Sequence, residues 1–157
     1  YEIMPSLVGS EMCIRDSVAT DFRMITSALK MISDMERIGD QALDIAEIAE
    51  YVTDDIKSKI NIKEMAETTV KMVMNSVDSY VRKDIDIANS VIGLDDTVDA
   101  LFDKAKSELI NVIRTENENA EGLLDLLMVA KYFERIGDHA ENIAEWVIFA
   151  VTGNHKA

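Results

Sequence analysis

The sequence predicts an all-α protein of four long helices, three of which can cover one another's apolar seams in a bundle. Three observations predict it. The 157 residues contain one Pro and six Gly, too few for a β-sandwich or a loop-rich fold, while abundant Ala, Met, Leu, Glu, Lys and Ile favour helices. Apolar residues recur in alternating steps of three and four, the 3.5-residue period of long helices packed nearly antiparallel. One phrase is written twice, as ERIGDQALDIAE at 36–47 and ERIGDHAENIAE at 134–145, with nine of twelve positions identical and 98 residues between copies. That offset is a whole number of heptads, so both copies hold the same seam register.

Residues 1–17, YEIMPSLVGSEMCIRDS, lack a helical period and hold the only Pro and the only Cys. SLVGSEMCIRDS resembles sequencing adapter translated as if it were coding, so the stretch is expected to be a non-native or disordered leader. A first helix is expected over about 21–52, capped by Thr20 or Asp21. Its seam is Ile25, Ala28, Ile32, Met35, Gly39, Ala42, Ala46 and Ala49. Thr53, Asp54 and Asp55 read as a break. A second helix covers about 61–82, with Ile62, Met65, Thr69, Met72 and Ser76 along one stripe. After a short turn near Lys83 and Asp84, a third covers about 85–114, with the seam Ile87, Val91, Leu94, Val98, Leu101 and Ala105. The polar run 115–119 reads as a loop. A fourth helix covers about 120–151, with the seam Leu123, Leu126, Ala130, Phe133, Gly137, Ala140, Ala144, Val147 and Val151, and Gly153 is placed to end it. Three rods of this length, about 45 Å each for 30 residues, cover one another's seams. The first helix needs partners of its own, either by docking on the bundle or by pairing with another chain.

The charge bounds the function. A net charge of −14 makes nucleic acid and anionic membrane surfaces poor partners, and a cation a natural one; solubility alone is the plainer explanation. The single cysteine, Cys13, excludes an internal disulfide and a cysteine-rich zinc site. No apolar run reaches the roughly 18 residues of a membrane span and no signal peptide is visible, so a cytoplasmic location is the default.

The acids fall in register. Glu36 and Asp40 each follow a residue of the first seam, Asp95 and Asp99 of the third, Glu134 and Asp138 of the fourth. Each pair is spaced i, i+4, which stacks two carboxylates on one helix face and destabilises a helix by about 0.2–0.5 kcal/mol. Where two such ladders meet, a multivalent cation relieves the repulsion, and oxygen-only ligands suit Mg²⁺, Mn²⁺, Ca²⁺ or iron. Gly39 and Gly137 leave room beside the acids. The competing account is a solvated charged face, with Arg37 and Arg135 pairing locally to Asp34, Asp40 or Asp138. His139 reads as a surface residue, Arg23 as a first-turn charge, Trp146 and Phe149 as packing, and Met65, Met72, Met74 and Met128 as core filler. No Glu-x-x-His pair, nucleophile–base set or phosphate-cradling glycine loop can be assembled.

These residues carry a resemblance. Thr20-Asp21-Phe22-Arg23 leading into Glu36-Arg37-Ile38-Gly39-Asp40 resembles the third helix of a PhoU-type repeat. Leu94-Asp95-Asp96-Thr97-Val98-Asp99 resembles the acidic second helix, and Glu134-Arg135-Ile136-Gly137-Asp138-His139-Ala140 the third helix of the next repeat. The resemblance spans about 18–152. It implies the third helix of an incomplete first repeat at 18–55, a complete second repeat at 58–152, and a tail at 153–157. It also implies a regulator of phosphate uptake and phosphate-starvation signalling, an adaptor between the phosphate ABC transporter's ATPase and a sensor histidine kinase. A multinuclear cluster of iron or zinc, with manganese or magnesium as alternatives, would sit on Asp95, Asp99, Glu134 and Asp138. Glu36 and Asp40 would be half of a first-repeat site, and the chain would be able to form a homodimer. The alternatives are a helical scaffold without metal, and a metal-dependent phosphohydrolase, for which the sequence offers no positioned base.

Overall fold

The computed structural model describes the backbone of residues 4–115 and 120–154, and side chains from residue 18 onward except those of 58, 59 and the undescribed segments. Five helices follow one another: α1 (Met4–Ala49), α2 (Asp54–Lys59), α3 (Lys63–Arg82), α4 (Ile85–Thr115) and α5 (Ala120–Thr152). The all-α expectation holds, and three of the four expected helices begin and end within about two residues of their expected bounds. Residues 116–119, most of the expected loop, and the tail 155–157 lie outside the described residues.

α1 differs at both ends. It starts at Met4 rather than near Asp21, so neither Thr20 nor Asp21 caps it. Pro5 falls in its first turn, where a missing N–H is no loss. The Thr20 hydroxyl instead accepts from Arg23 Nη2 at 3.1 Å. Beyond Ala49 the expected break holds a short helix, α2. Asp54 and Asp55 lie in its first turn, where their charge suits the free N–H groups. Its Ile56, with Val52 and Ile60 beside it, closes a second core against Ala105, Leu109, Leu123 and Leu126.

The α3–α4 turn is made by two residues. Lys83 takes the left-handed conformation (φ 54°) and, with Asp84, donates backbone N–H groups to Ser79 and Tyr80 carbonyls, closing α3. The Asp84 carboxylate then accepts from the N–H of Asp86 and of Ile87, at 2.9 and 3.1 Å, and caps α4. Gly153, at φ 77°, ends α5 as expected, its N–H donating to the Phe149 carbonyl.

α5 is the central rod. Its seam from Leu123 to Val147 faces α3 and α4, with Ala130, Ala140, Ala144 and Val147 buried against Met65, Met72, Val91 and Val98. Val151 lies partly open at its end. α1 packs along another side of α5, antiparallel to it. Early residues of α1 meet late residues of α5: Arg23 lies beside Gly153, and Asp34 beside His139. The Arg23 guanidinium thus sits at the C-terminus of α5, where a cation suits the free carbonyls, rather than serving as a first-turn charge.

The face by which α1 docks is not the expected seam. Ser27, Met31 and Gln41 are buried, and Asp34, Ile38, Ile45 and Ile48 half-buried. Most of the expected seam faces outward: Ile25, Ile32, Met35, Gly39, Ala42 and Ala46 are exposed, and with them Phe22, Leu29 and Leu43. α1 carries two apolar stripes, and only one has a partner here. Among the methionines, Met65 and Met72 fill the core, whereas Met74 and Met128 are exposed. Trp146 and Phe149 meet edge to face at 5.8 Å, as packing residues do.

Candidate metal centre

Adjacent faces of α4 and α5 bring three carboxylates together. Asp95 and Asp99 lie one turn apart on α4, Asp138 lies opposite on α5, and one oxygen from each falls within 4.8 Å of the others. Local sequence explains the convergence. Val98 on α4 is fully buried, and Gly137 on α5 presents no side chain to it, so the two backbones approach closely and carry the residues that follow with them. A Cβ on Gly137 would stand 3.5 Å from both Asp95 Oδ1 and Val98 Cγ1, and 3.7 Å from Met72 Cε.

The electrostatics are those of crowded anions. Burial pushes the Asp95 carboxyl up to about 7, with Glu141, Asp99, Asp138 and Asp96 adding repulsion. Asp138 is raised by burial and then by Glu134 and Asp99, with Lys131 and His139 opposing. Glu141 is raised by burial and then by Glu145 and Asp138, and a hydrogen bond with Asp95 partly offsets this. Asp95 Oδ1 is buried without a hydrogen-bond partner. An orphaned carboxylate oxygen, aimed into the space that Gly137 leaves open, fits a small hard cation held by oxygen ligands.

The other expected ligands are placed differently. Glu134 lies one turn before Asp138, but Lys131 Nζ stands 2.6 Å from each of its oxygens and neutralises it. The same ammonium lies 5.2 Å over the Phe102 ring. Glu36 and Asp40 sit on the outward side of α1, both exposed, and no third ligating side chain among the described residues converges on them. His139 is not a plain surface residue: its Nδ1 is 2.9 Å from Asp34 Oδ1, which ties α5 to α1 and removes Asp34 from any pairing with Arg37.

Glu141 is the member of the cluster that sequence reasoning missed. A signal existed. The two copies of the repeated phrase differ at three positions, where Gln41, Leu43 and Asp44 correspond to His139, Glu141 and Asn142. Two of those three substitutions supply the helix-bridging histidine and the additional carboxylate.

Comparison with known proteins bears on the family and the fold. The profile of the PhoU domain matches residues 6–49 and 62–147. The phosphate-specific transport system accessory protein PhoU homolog of Clostridium acetobutylicum is 36% identical over 138 residues, covering 87% of this chain and 63% of that protein. The homolog of the same name from Pseudomonas aeruginosa is 35% identical, covering 88% of this chain and 59% of its own length. The chain thus spans about three-fifths of these relatives. The crystal structure of PhoU from Pseudomonas aeruginosa superposes with a TM-score of 0.81 at 34% identity, over 92% of this chain and 73% of that one.

Proposed function

The chain belongs to the PhoU family, and from that premise we propose that it serves as an accessory regulator of phosphate transport, damping uptake and the phosphate-starvation response. In this reading it acts in the cytoplasm as a non-catalytic adaptor between the transporter's ATPase and a sensor histidine kinase. The observation that carries the transport role is the match to accessory proteins of that system along nearly the whole chain. No described helix is long and apolar enough to cross a membrane, which is compatible with an accessory role beside a transporter.

The adaptor binds metal at the α4–α5 contact. Asp95, Asp99 and Asp138 would hold the ion, with Glu141 beside them and Glu134 recruited only if Lys131 turns away. The ion would supply positive charge between the two ladders and clamp α4 to α5, leaving the bundle rigid enough to present a constant surface. The donor set is oxygen-only, which favours iron, manganese or magnesium over zinc. Glu36 and Asp40 would take part only with ligands from outside the described residues.

Elemental analysis of the purified chain tests the metal: stoichiometric binding in the wild type, lost in Asp99→Asn/Asp138→Asn and retained in Glu36→Gln/Asp40→Asn. Absence of metal from every preparation, after growth with iron, zinc and manganese, supports the scaffold reading instead. Co-purification with the transporter ATPase or the kinase tests the adaptor role. Failure to capture either, with metal bound, leaves a metal-binding helical protein outside that pathway.

A further inference from the structure

The acids between α4 and α5 have one lysine among them. The two helices run antiparallel there, since Asp95 meets Gly137 while Phe102, further along α4, meets Lys131, earlier on α5. Lys131 thus stands at one end of the row of carboxylates. Its Nζ is 2.6 Å from both oxygens of Glu134, one turn on along α5. From α4, the Phe102 ring faces the same ammonium at 5.2 Å, within cation–π range. Glu134 is only 14% exposed, and its Oε2 is buried and accepts from nothing else. A carboxylate this far out of water depends on its counter-ion more than a surface acid does. The lysine's charge also reaches Asp138, where it opposes the upward push of burial and of Glu134.

One carboxylate does not serve two cations at this range. A hard divalent ion sits about 2.0–2.6 Å from a carboxylate oxygen. An ion on Glu134 would therefore stand within about 5 Å of an ammonium that is itself 2.6 Å from both oxygens. The two positive charges repel, so the ion binds there only if the lysine gives up both Glu134 and Phe102. Asp95, Asp99 and Asp138 impose no such exchange. Their oxygens fall within 4.8 Å of one another without Glu134.

We infer that Lys131 sets the affinity of the α4–α5 centre for a divalent cation: it is the built-in counter-ion of Glu134 and keeps that carboxylate away from the ion that Asp95, Asp99 and Asp138 would hold. The inference rests on the metal reading of this contact and deepens it, because it states which acids the ion reaches and which residue weakens its hold. It replaces the expected set of four equivalent ligands with three ligands and one ion-paired neighbour.

Equilibrium dialysis of the intact, chelator-stripped chain against Mn²⁺ tests it, with helical content checked by circular dichroism. Lys131→Met is expected to bind Mn²⁺ about tenfold more tightly than wild type, because a half-exposed positive charge beside the ion is gone and Glu134 is freed. Lys131→Gln takes its place should that variant not fold. Lys131→Arg keeps the charge and is expected to stay at wild-type affinity. Lys131→Met/Glu134→Gln removes the pair as a unit and is expected to return to wild-type affinity. Lys131→Met that binds no more tightly than wild type overturns the inference. A double variant weaker than wild type also overturns it, since Glu134 would then be a ligand in spite of the lysine. So does equal tightening in Lys131→Arg and Lys131→Met, which makes shape rather than charge the cause. In those three cases wild type still holds Mn²⁺ and the metal reading stands. If neither wild type nor any variant binds Mn²⁺ saturably, the metal reading itself falls, and this inference with it.

Discussion

The two copies of ERIGD have different fates. At 134–138 the phrase lies in the middle of α5, with α3 and α4 covering one side and α1 another. At 36–40 it lies on α1, whose main partner among the described residues is α5. The glycines measure the difference. A side chain on Gly137 would touch α3 and α4, whereas nothing stands within 4 Å of the same position at Gly39. The acids follow. Asp138 is drawn into a three-carboxylate cluster, while Glu36 and Asp40 face outward. An i, i+4 acid pair is therefore only half of a site. The other half is a neighbouring helix with its own ladder, brought close by a glycine.

The 98-residue offset extends this comparison along both helices. Met31, Ile38 and Ile45, on the docked side of α1, correspond to Val129, Ile136 and Ile143 on α5. The two helices thus meet through equivalent faces. The remaining apolar side of α1 corresponds to the side of α5 that α3 and α4 bury. Phe22, Ile25, Leu29, Ile32, Met35 and Leu43 stand 49–69% exposed there. A contiguous apolar stripe of this kind has no partner among the described residues.

The sharpest way to break the comparison is to truncate equivalent side chains. Leu123 is 2% exposed in the second core, and its counterpart on α1, Ile25, is 61% exposed. Leu123→Ala is expected to cost about 2–5 kcal/mol, the range for a buried leucine, and Ile25→Ala to stay within about 0.5 kcal/mol of wild type. Denaturant melts of both variants check this. Equal losses would mean that the outward face of α1 is covered in solution.

The glycines give a smaller contrast of opposite sign. Gly39→Leu places a good helix former where space is open and is expected to stabilise by up to about 1 kcal/mol. Gly137→Leu drives atoms into Val98 and Met72 and is expected to destabilise by about 1–3 kcal/mol. Thermal melts of the pair decide it, and two substitutions of the same sign would show that the second copy is not packed as described.

How much of this was legible beforehand follows from the same contrast. The bundle of α3, α4 and α5 was readable because each helix buries the stripe that its period marks. α1 was misread because it has two stripes, and periodicity does not say which of them has a partner. The cluster was readable at Asp95, Asp99 and Asp138, where ladder and seam agree. Glu134 also fitted the pattern, but the ammonium that neutralises it comes from Lys131, one turn earlier on the same helix, outside the repeated phrase. The Asp34–His139 contact was invisible because it depends on how α1 lies against α5, which no single helix encodes. The short α2 was hidden by its length, since six residues are too few to show a period.

The last prediction uses pH to tell the two ladders apart. The Asp95 carboxyl titrates near 7 in the folded protein against 3.8 ordinarily, and Asp138 and Glu141 are raised as well. The folded state therefore holds protons that the unfolded chain releases. Stability from these groups is greatest in acid, declines as pH rises through about 4 to 7, and is lowest above that window. In the presence of a chelator, the melting temperature is expected to be lower at about pH 8 than at about pH 5, by on the order of 1–2 kcal/mol in stability once solvent screening is allowed for. Asp95→Asn should remove most of that decline by raising stability at the alkaline end, and Asp40→Asn, on the open face, serves as the control. A cation bound between α4 and α5 reverses the balance, because it stabilises the ionised carboxylates. Adding the metal that the chain retains should then restore the melting temperature at about pH 8 in wild type and Asp40→Asn alike. If the chelated protein is instead more stable at the alkaline end, the carboxylates of α4 and α5 are not crowded, and the two copies of the phrase do not differ in the way the structure indicates.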